Sequence, residues 1–483
     1  MSEKSFDAVV IGAGPGGYVT AIRLAQLGKK TAIVEKDKWG GVCLNVGCIP
    51  SKALIYASTQ FWKAKNEFEE IGIHVSNPKC DLPKMQAWKS GVVKKLTSGV
   101  ANLLKMNKVE MISGAAKFID KNTLSVGLDK IKAKDFVIAT GSHVMEIPAF
   151  PFNGKNIVGS TEALELQKLP EKMVVIGGGF IGLEIGIAYA KLGSEVTVVE
   201  ALDHILSTID HELVAVVEKK MRKFGMRVLT KTKALGLQEK DPAKSAKLHL
   251  QVETGGKRES LEADVILVSV GRKPNSSGIG LETIGVKLDP KGNILVDRQS
   301  RTNVPGVYAI GDVSGAPQLA HRAMMDGMLA AAAISGQKSF RDYRSVPWAV
   351  FCDPEIAVAG LNESEAVAAG IKFRIGRFPF AASGRALSTN ETEGLVKVLI
   401  KEEDESIIGA HIVGPEASNL IAEAALAIEM GATAEDIVRT IHTHPTLPEA
   451  FPEAVEAAFS KAIHIYKPAS GPRGLVSTRE AHA

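Results

Sequence analysis

Phe6-Asp7-Ala8-Val9-Val10-Ile11-Gly12-Ala13-Gly14-Pro15-Gly16-Gly17 sets an apolar run directly against a glycine cluster. The run reads as a buried strand, Gly17 to Leu27 as a helix closed by Gly28, and Thr31-Ala32-Ile33-Val34 as a second strand ending on Glu35. Glycines at 12, 14 and 17 let the backbone approach a diphosphate at a helix N-terminus, and an acid about twenty residues on accepts ribose hydroxyl hydrogen bonds. Tight packing of a helix on a strand would explain one glycine, but not the acid as well. The arrangement returns 165 residues later, where Met173-Val174-Val175-Ile176 leads into Gly177-Gly178-Gly179-Phe180-Ile181-Gly182, a helix to Leu192 and the strand Glu195–Val199 ending on Glu200. Two complete fingerprints imply an α/β chain with two dinucleotide sites. At the second, Glu200 would repel a 2′-phosphate and accept from a free 2′-hydroxyl, and no arginine pair follows it, so NAD is expected over NADP.

Between the two fingerprints lies Gly40-Gly41-Val42-Cys43-Leu44-Asn45-Val46-Gly47-Cys48-Ile49-Pro50-Ser51-Lys52. Pro50 suits the first turn of a helix, here expected over Lys52 to Ala64, which puts Cys48 near the positive end of a helix dipole with Lys52 at hand. Both effects favour thiolate over thiol. Half a zinc site is disfavoured because Cys80 and Cys352 are isolated and tetrahedral zinc wants further ligands at short spacing. A structural staple is disfavoured because the large core expected of 483 residues does not need one. A redox-active pair fits best.

This stretch resembles the active-site signature of the class I pyridine-nucleotide disulfide oxidoreductases, in their dihydrolipoyl dehydrogenase branch. The resemblance runs from about Asp7 to Ile465. It implies two Rossmann-like dinucleotide-binding domains of three-layer ββα type and a C-terminal α+β dimerisation domain. The implied boundaries are 1–148 for the first part of the FAD domain, 149–271 for the NAD domain, 272–346 for the second FAD part and 347–470 for the interface domain, with a flexible tail at 471–483. FAD and NAD are the implied cofactors. Their implied contacts are Gly12, Gly14, Gly17, Glu35, Lys52, Gly114, Thr140, Gly141, Ser142, Asp312, Ala320, Gly177, Gly179, Gly182, Glu184, Glu200 and Gly271. Asp312 falls on the flavin's ribityl chain, and Lys52 pairs with Glu184 beside the flavin ring. Asp312 read alone is also an ordinary turn or N-cap residue.

Two strand-like runs close the halves of the repeat: Asp135–Ala139 before Thr140-Gly141-Ser142, and Ala263–Val270 before Gly271-Arg272-Lys273-Pro274-Asn275. A third, Gly306–Ile310, leads to Gly311-Asp312 and an alanine-rich helix from about Gln318 to Ile334. From Pro347 the glycine clusters stop. Leu395–Ile400 and Ser406–Val413 read as an antiparallel pair, followed by helices at Ala417–Met430 and Ala434–Ile441.

Near the end stands His442-Thr443-His444-Pro445-Thr446-Leu447-Pro448-Glu449. A lone histidine is more often structural than catalytic, but a carboxylate five positions on can hold one ring nitrogen while the other faces a substrate thiol. The resemblance makes His444 the acid/base and Glu449 its partner, with His442 structural. It brings this loop to the partner subunit's Cys43/Cys48 pair, so a homodimer is expected. Lipoyl domains of 2-oxo-acid dehydrogenase complexes, or the glycine cleavage H protein, are the implied partners. Cys352-Asp353-Pro354-Glu355, Arg322–Asp326 and Pro448 depart from the usual pattern without removing a catalytic group.

Composition agrees. The 58 Lys and Arg nearly balance 54 Asp and Glu, so nucleic acid is not an expected partner. Met173–Ala190 is the most apolar run, yet Gly177, Gly178, Gly179, Gly182 and the charge on Glu184 argue against a membrane span. Met1–Lys4 runs into the first strand, so no signal peptide is expected, and the sparse cysteines suit a reducing cytoplasm. Two other classes compete. A glutathione-type disulfide reductase would favour NADP and cationic residues, against Glu200 and Leu447-Pro448, and mercuric reduction lacks a C-terminal cysteine pair. A non-catalytic FAD-bearing redox sensor would not need Cys43, Cys48, His444 and Glu449 together.

Overall fold

The computed structural model describes residues 3–239 and 241–466. These form two compact units, one of residues 3–207 and 222–342, the other of 208–221 and 343–466. The flexible tail expected at 471–483 lies outside the described residues.

In the first unit the apolar strand Glu3–Ile11 sits at the centre of a sheet, parallel to Thr31–Glu35 on one side and Asp129–Ile138 on the other. Val307–Ala309 extends it in parallel beyond Ile138, and Glu110–Ser113 beyond Thr31–Glu35. The strand is apolar on both faces because both are covered. Val9 and Ile11 enter one core with Phe118, Leu124 and Ile131, which come from an antiparallel meander. Ala8 and Val10 enter another with Ala21, Leu24 and Ala330, which come from helices Pro15–Gln26 and Ala320–Ile334. Meander, parallel sheet and helices make three layers.

The second repeat builds a five-stranded parallel sheet around Lys172–Ile176, flanked by Glu195–Val199 and Val265–Val268. An antiparallel three-stranded sheet accompanies it. A short antiparallel pair, Ser142–Val144 with Arg272–Pro274, joins the segments that follow the closing strand of each half.

The second unit is an antiparallel five-stranded sheet in which Leu395–Lys401 pairs with Ile407–Gly414 as expected. Helices Ala417–Met430 and Ala450–Ala457 cover it around Val398, Ile412, Ile421 and Phe451. Helix Ala450–Ala457 lies so close that a Cβ on Gly376 would fall 1.7 Å from Ala454 O. Among the described residues, no helix is long and apolar enough to cross a membrane.

Element ends differ from the sequence expectations in a few places. The helix expected from Lys52 starts at Cys48 and runs to Asn66, and a separate short helix, Gly41–Val46, precedes it. Gly40 (φ +96°) and Gly47 (φ −138°, ψ −110°) set these starts. The second closing strand shrinks to Val265–Val268, and the helix expected to end at Ile441 ends at Arg439.

Candidate active site

The first glycine loop is shaped by steric exclusion. Gly12 adopts φ +103°, and a Cβ there would lie 2.4 Å from Ala139 O. A Cβ on Gly17 would lie 1.8 Å from Gly12 O. Gly14 caps helix Pro15–Gln26, and Gly41 passes so close that its Cβ would fall 2.5 Å from Gly14 Cα. Glu35 closes the loop: Ala13 N–H donates to its Oε2 at 2.7 Å and Asp37 N–H to its Oε1 at 2.8 Å. The second loop repeats this. Gly177 (φ +105°) would meet Ser269 O at 2.3 Å, Gly182 would meet Gly177 O at 2.8 Å, and Gly179 opens onto free space at the N-terminus of helix Phe180–Leu192. Gly178 and Leu202 N–H groups donate to Glu200 at 2.6 and 2.7 Å. Each carboxylate keeps lone pairs for a ribose hydroxyl.

A cavity of about 510 Å³ in the first unit joins the first loop to the cysteines. Gly12, Gly14, Glu35, Cys43, Cys48, Lys52, Thr140, Gly141, Ser142, Glu184, Asp312 and Ala320 all line it. It suits a ligand with an anionic diphosphate at the helix N-terminus and a ring near the thiols. FAD has that form, and the lining fits it: Gly12 and Gly14 at the helix N-terminus, Glu35 at the loop's end, and the thiol pair with Lys52 at the other side.

Cys43 and Cys48 are thiols here. Cys48 is the first residue of helix Cys48–Asn66, and the preceding helix holds Cys43 within hydrogen-bonding reach. The hydrogen bond from Cys43 lowers the Cys48 pKa to about 7 against the opposing effect of burial, with help from Lys52. The same bond and burial push Cys43 well above the usual thiol range. Lys52 Nζ pairs at 2.9 Å with Glu184, which is 5% exposed on helix Phe180–Leu192. Burial of that carboxylate requires such a partner.

Three predicted residues stand back from the cavity lining. Gly17 lies behind the loop, Gly114 donates its N–H to Glu35 O at 2.8 Å, and Gly271 ends the turn before Arg272 at φ +126°. Gly177, Gly179, Gly182 and Glu200 form the second loop, outside this cavity. The lining residues that the sequence reading did not name include Arg272 and Asn275. Their signal was present in Gly271-Arg272-Lys273-Pro274-Asn275, of which only the glycine was taken.

In the second unit, His444 Nδ1 and Glu449 Oε1 are 2.8 Å apart, and Thr446 N–H donates to Glu449 Oε2 at 2.7 Å. Burial favours protonation of Glu449, but the Thr446 N–H and His444 outweigh it, so its pKa is lowered. The His444 ring is 79% exposed, with Nδ1 held and the ring turned to its surroundings. His442 differs: Nδ1 meets Thr440 O at 2.9 Å and Nε2 meets Glu423 at 2.7 Å, so both its nitrogens are engaged.

Residues 6–327 match the model of the pyridine nucleotide-disulphide oxidoreductases, and 346–455 match that family's dimerisation domain. The chain belongs to this family. Pyridine nucleotide-disulphide oxidoreductases similar to it include the dihydrolipoyl dehydrogenase of Geobacillus stearothermophilus, 49% identical over 463 residues, or 95% of this chain and 97% of that one. The dihydrolipoyl dehydrogenase of Thermus scotoductus is 48% identical, covering 96% and 99%. Dihydrolipoyl dehydrogenase 1, mitochondrial, of Arabidopsis thaliana is 46% identical, covering 95% and 91%. Among solved structures, LpdA from Mycobacterium tuberculosis has a TM-score of 0.86 at 28% identity, covering 93% of this chain and 99% of that one. The HOCl-induced flavoprotein disulfide reductase RclA from Escherichia coli has a TM-score of 0.82 at 25% identity, covering 93% and 99%. As a member of the family with its dimerisation domain, the chain is a flavoprotein oxidoreductase that uses FAD and NAD and forms a homodimer.

Proposed function

We propose that this chain is an NAD-dependent dihydrolipoyl dehydrogenase, oxidising protein-bound dihydrolipoamide to lipoamide through Cys43 and Cys48. The observation that carries the site assignment is the shared cavity: thiol pair, Lys52–Glu184 and diphosphate loop line one space.

In this reading the oxidised enzyme holds a Cys43–Cys48 disulfide. His444, oriented by Glu449 and supplied by the partner subunit, takes a proton from one substrate thiol. The resulting thiolate attacks Cys43 Sγ, forming a mixed disulfide and breaking the Cys43–Cys48 bond. Cys48 leaves as a thiolate, for which its pKa of about 7 suits it. The second substrate sulfur then attacks the sulfur bound to Cys43 and closes the substrate's own disulfide; its proton passes to the released Cys43, while the proton taken first stays on His444 beside the Cys48 thiolate. Gly12, Gly14, Glu35 and Asp312 would hold FAD, which when bound would supply the two-electron acceptor between the dithiol pair and NAD, and Gly177, Gly179, Gly182 and Glu200 would hold NAD. Lys52 places positive charge beside the thiolate.

We assign 1–148 and 272–346 to the FAD domain, 149–271 to the NAD domain and 347–470 to the interface domain. Lipoyl domains of 2-oxo-acid dehydrogenase complexes or the glycine cleavage H protein are the proposed partners, and the cytoplasm the proposed compartment. The test is a two-by-two assay of lipoamide and oxidised glutathione with NADH and NADPH. Turnover confined to lipoamide with NADH is the expected result. Preferred use of glutathione with NADPH would instead identify the glutathione-type reductase.

A further inference from the structure

Arg272 lines the cavity from the short strand Arg272–Pro274, opposite Val144 in the pair with Ser142–Val144. Its guanidinium turns back along that pair. Nε donates to Ser142 Oγ at 2.7 Å, and Nη2 donates to Ser142 O at 2.7 Å. Ser142, 3% exposed, donates its hydroxyl to Asp312 Oδ2 at 2.5 Å. A hydroxyl has one proton to give. With Arg272 on the oxygen's lone pair, that proton is committed to Asp312, so cation, hydroxyl and carboxylate form a directional relay. Anchoring the strand pair does not require Arg272. Asn275 Nδ2 donates to Thr140 O at 2.8 Å, and Thr140 Oγ1 donates to Asn275 O at 2.7 Å. Lysine could not reproduce the fork, which grips the side chain and carbonyl of one residue together.

We propose that Arg272 is a positioning residue of the flavin site, acting through Ser142 to fix the Asp312 carboxylate in the one orientation that receives the cofactor. The inference rests on the reading of Asp312 as a flavin ligand. With Oδ2 occupied by Ser142, the carboxylate meets the cofactor through its other oxygen. Burial pulls the Arg272 pKa down while Asp312 and Cys48 pull it up, as expected of a cation facing this site.

The test is a double-mutant cycle on the holoenzyme. FAD loss on dilution is followed by recovery of free-flavin fluorescence for Arg272→Met, Ser142→Ala, Asp312→Asn, Arg272→Lys and the paired variants. Arg272→Met and Ser142→Ala are each expected to weaken FAD retention about tenfold, and together no more than either alone. Arg272→Met adds nothing in the Asp312→Asn background, and Arg272→Lys recovers part of the loss. Losses that multiply in both pairs would overturn the relay, as would unchanged retention in Arg272→Met. Unchanged retention in Asp312→Asn alone would instead overturn the flavin role of Asp312. Ser142→Ala, which removes one hydroxyl, keeps the cycle readable if Arg272→Met folds poorly.

Discussion

Replacing Cys43 by alanine should slow the reaction of Cys48 at neutral pH, because the strongest influence lowering the Cys48 pKa to about 7 is the hydrogen bond from Cys43. At pH 7 such a thiol is about half ionised. Without its donor, Cys48 returns toward the ordinary value of 9.0, where the thiolate fraction at pH 7 is about 1%. That is a loss of about fifty-fold in thiolate. The more basic thiolate is intrinsically about six- to tenfold more nucleophilic, so the net rate falls about five- to eightfold at pH 7. Above about pH 8.3 the variant should overtake the wild type. The assay is iodoacetamide alkylation of the anaerobically reduced holoenzyme across pH 5–10, with the labelled peptide quantified by mass spectrometry so that only Cys48 is counted. The midpoint should move up by about two units in Cys43→Ala and less in Cys43→Ser, which keeps a donor. Lys52→Met should also move it less than Cys43→Ala, since Lys52 is a smaller favourable influence than the Cys43 hydrogen bond. A Cys43→Ala midpoint within about 0.3 units of the wild type would refute the reasoning.

Glu449→Gln should lower kcat/KM for dihydrolipoamide by about a hundredfold while leaving NADH oxidation by an artificial acceptor unchanged, because the acceptor bypasses His444. The folded-state pKa of Glu449 lies below its ordinary 4.5, so its orienting charge is complete above that value and is lost only as pH falls through the lowered one; a steady-state pH profile of the wild type should place this loss below pH 4.5. Gly12→Ala forces a Cβ to 2.4 Å from Ala139 O at φ +103°; the purified variant should lack the visible flavin absorbance that the wild type carries. Lys397 is 1% exposed and sits 2.6 Å from both Asp210 and Glu363. Lys397→Met should destabilise by about 2–4 kcal/mol, discounted because Glu363 is 37% exposed, which scanning calorimetry would register as a fall of about 5–10 °C. Burial lowers the Lys397 pKa, but Asp210 and Glu363 outweigh it, so this contribution is intact below pH 10.5 and lost as pH rises through the folded value.

Features fixed by local contact could be read from the chain. Gly12 and Gly177 are obligatory because any Cβ collides with the carbonyl of a neighbouring strand, so the repeat declares both loops and the strand–helix–strand order around them. Glu35 and Glu200 sit at the same place in each repeat, and the N–H groups that hold them come from the same loops. The ion pair of Lys52 with Glu184 could be inferred from one charge in an apolar helix, although only the resemblance named its partner. Features assembled across long separations could not. Arg272 reaches Ser142 across 130 residues, and Ser142 reaches Asp312 across 170, so no local pattern marks the three as one unit. Lys397 looks like a polar interruption of a strand until the fold sets Asp210, 187 residues away, beside it. The Gly41–Val46 helix was also missed: six residues between two glycines carry too little periodicity to register.

The central claim is that electrons travel from a dithiol to nicotinamide through the Cys43–Cys48 pair. Its most direct test measures NADH formation from dihydrolipoamide and NAD by the wild type and by Cys43→Ser, with reduction of an artificial acceptor by NADH as the control for the flavin. The wild type should turn over, while Cys43→Ser should lose dihydrolipoamide oxidation and keep both its flavin and the control reaction. Dihydrolipoamide oxidation by Cys43→Ser at the wild-type rate would contradict the account.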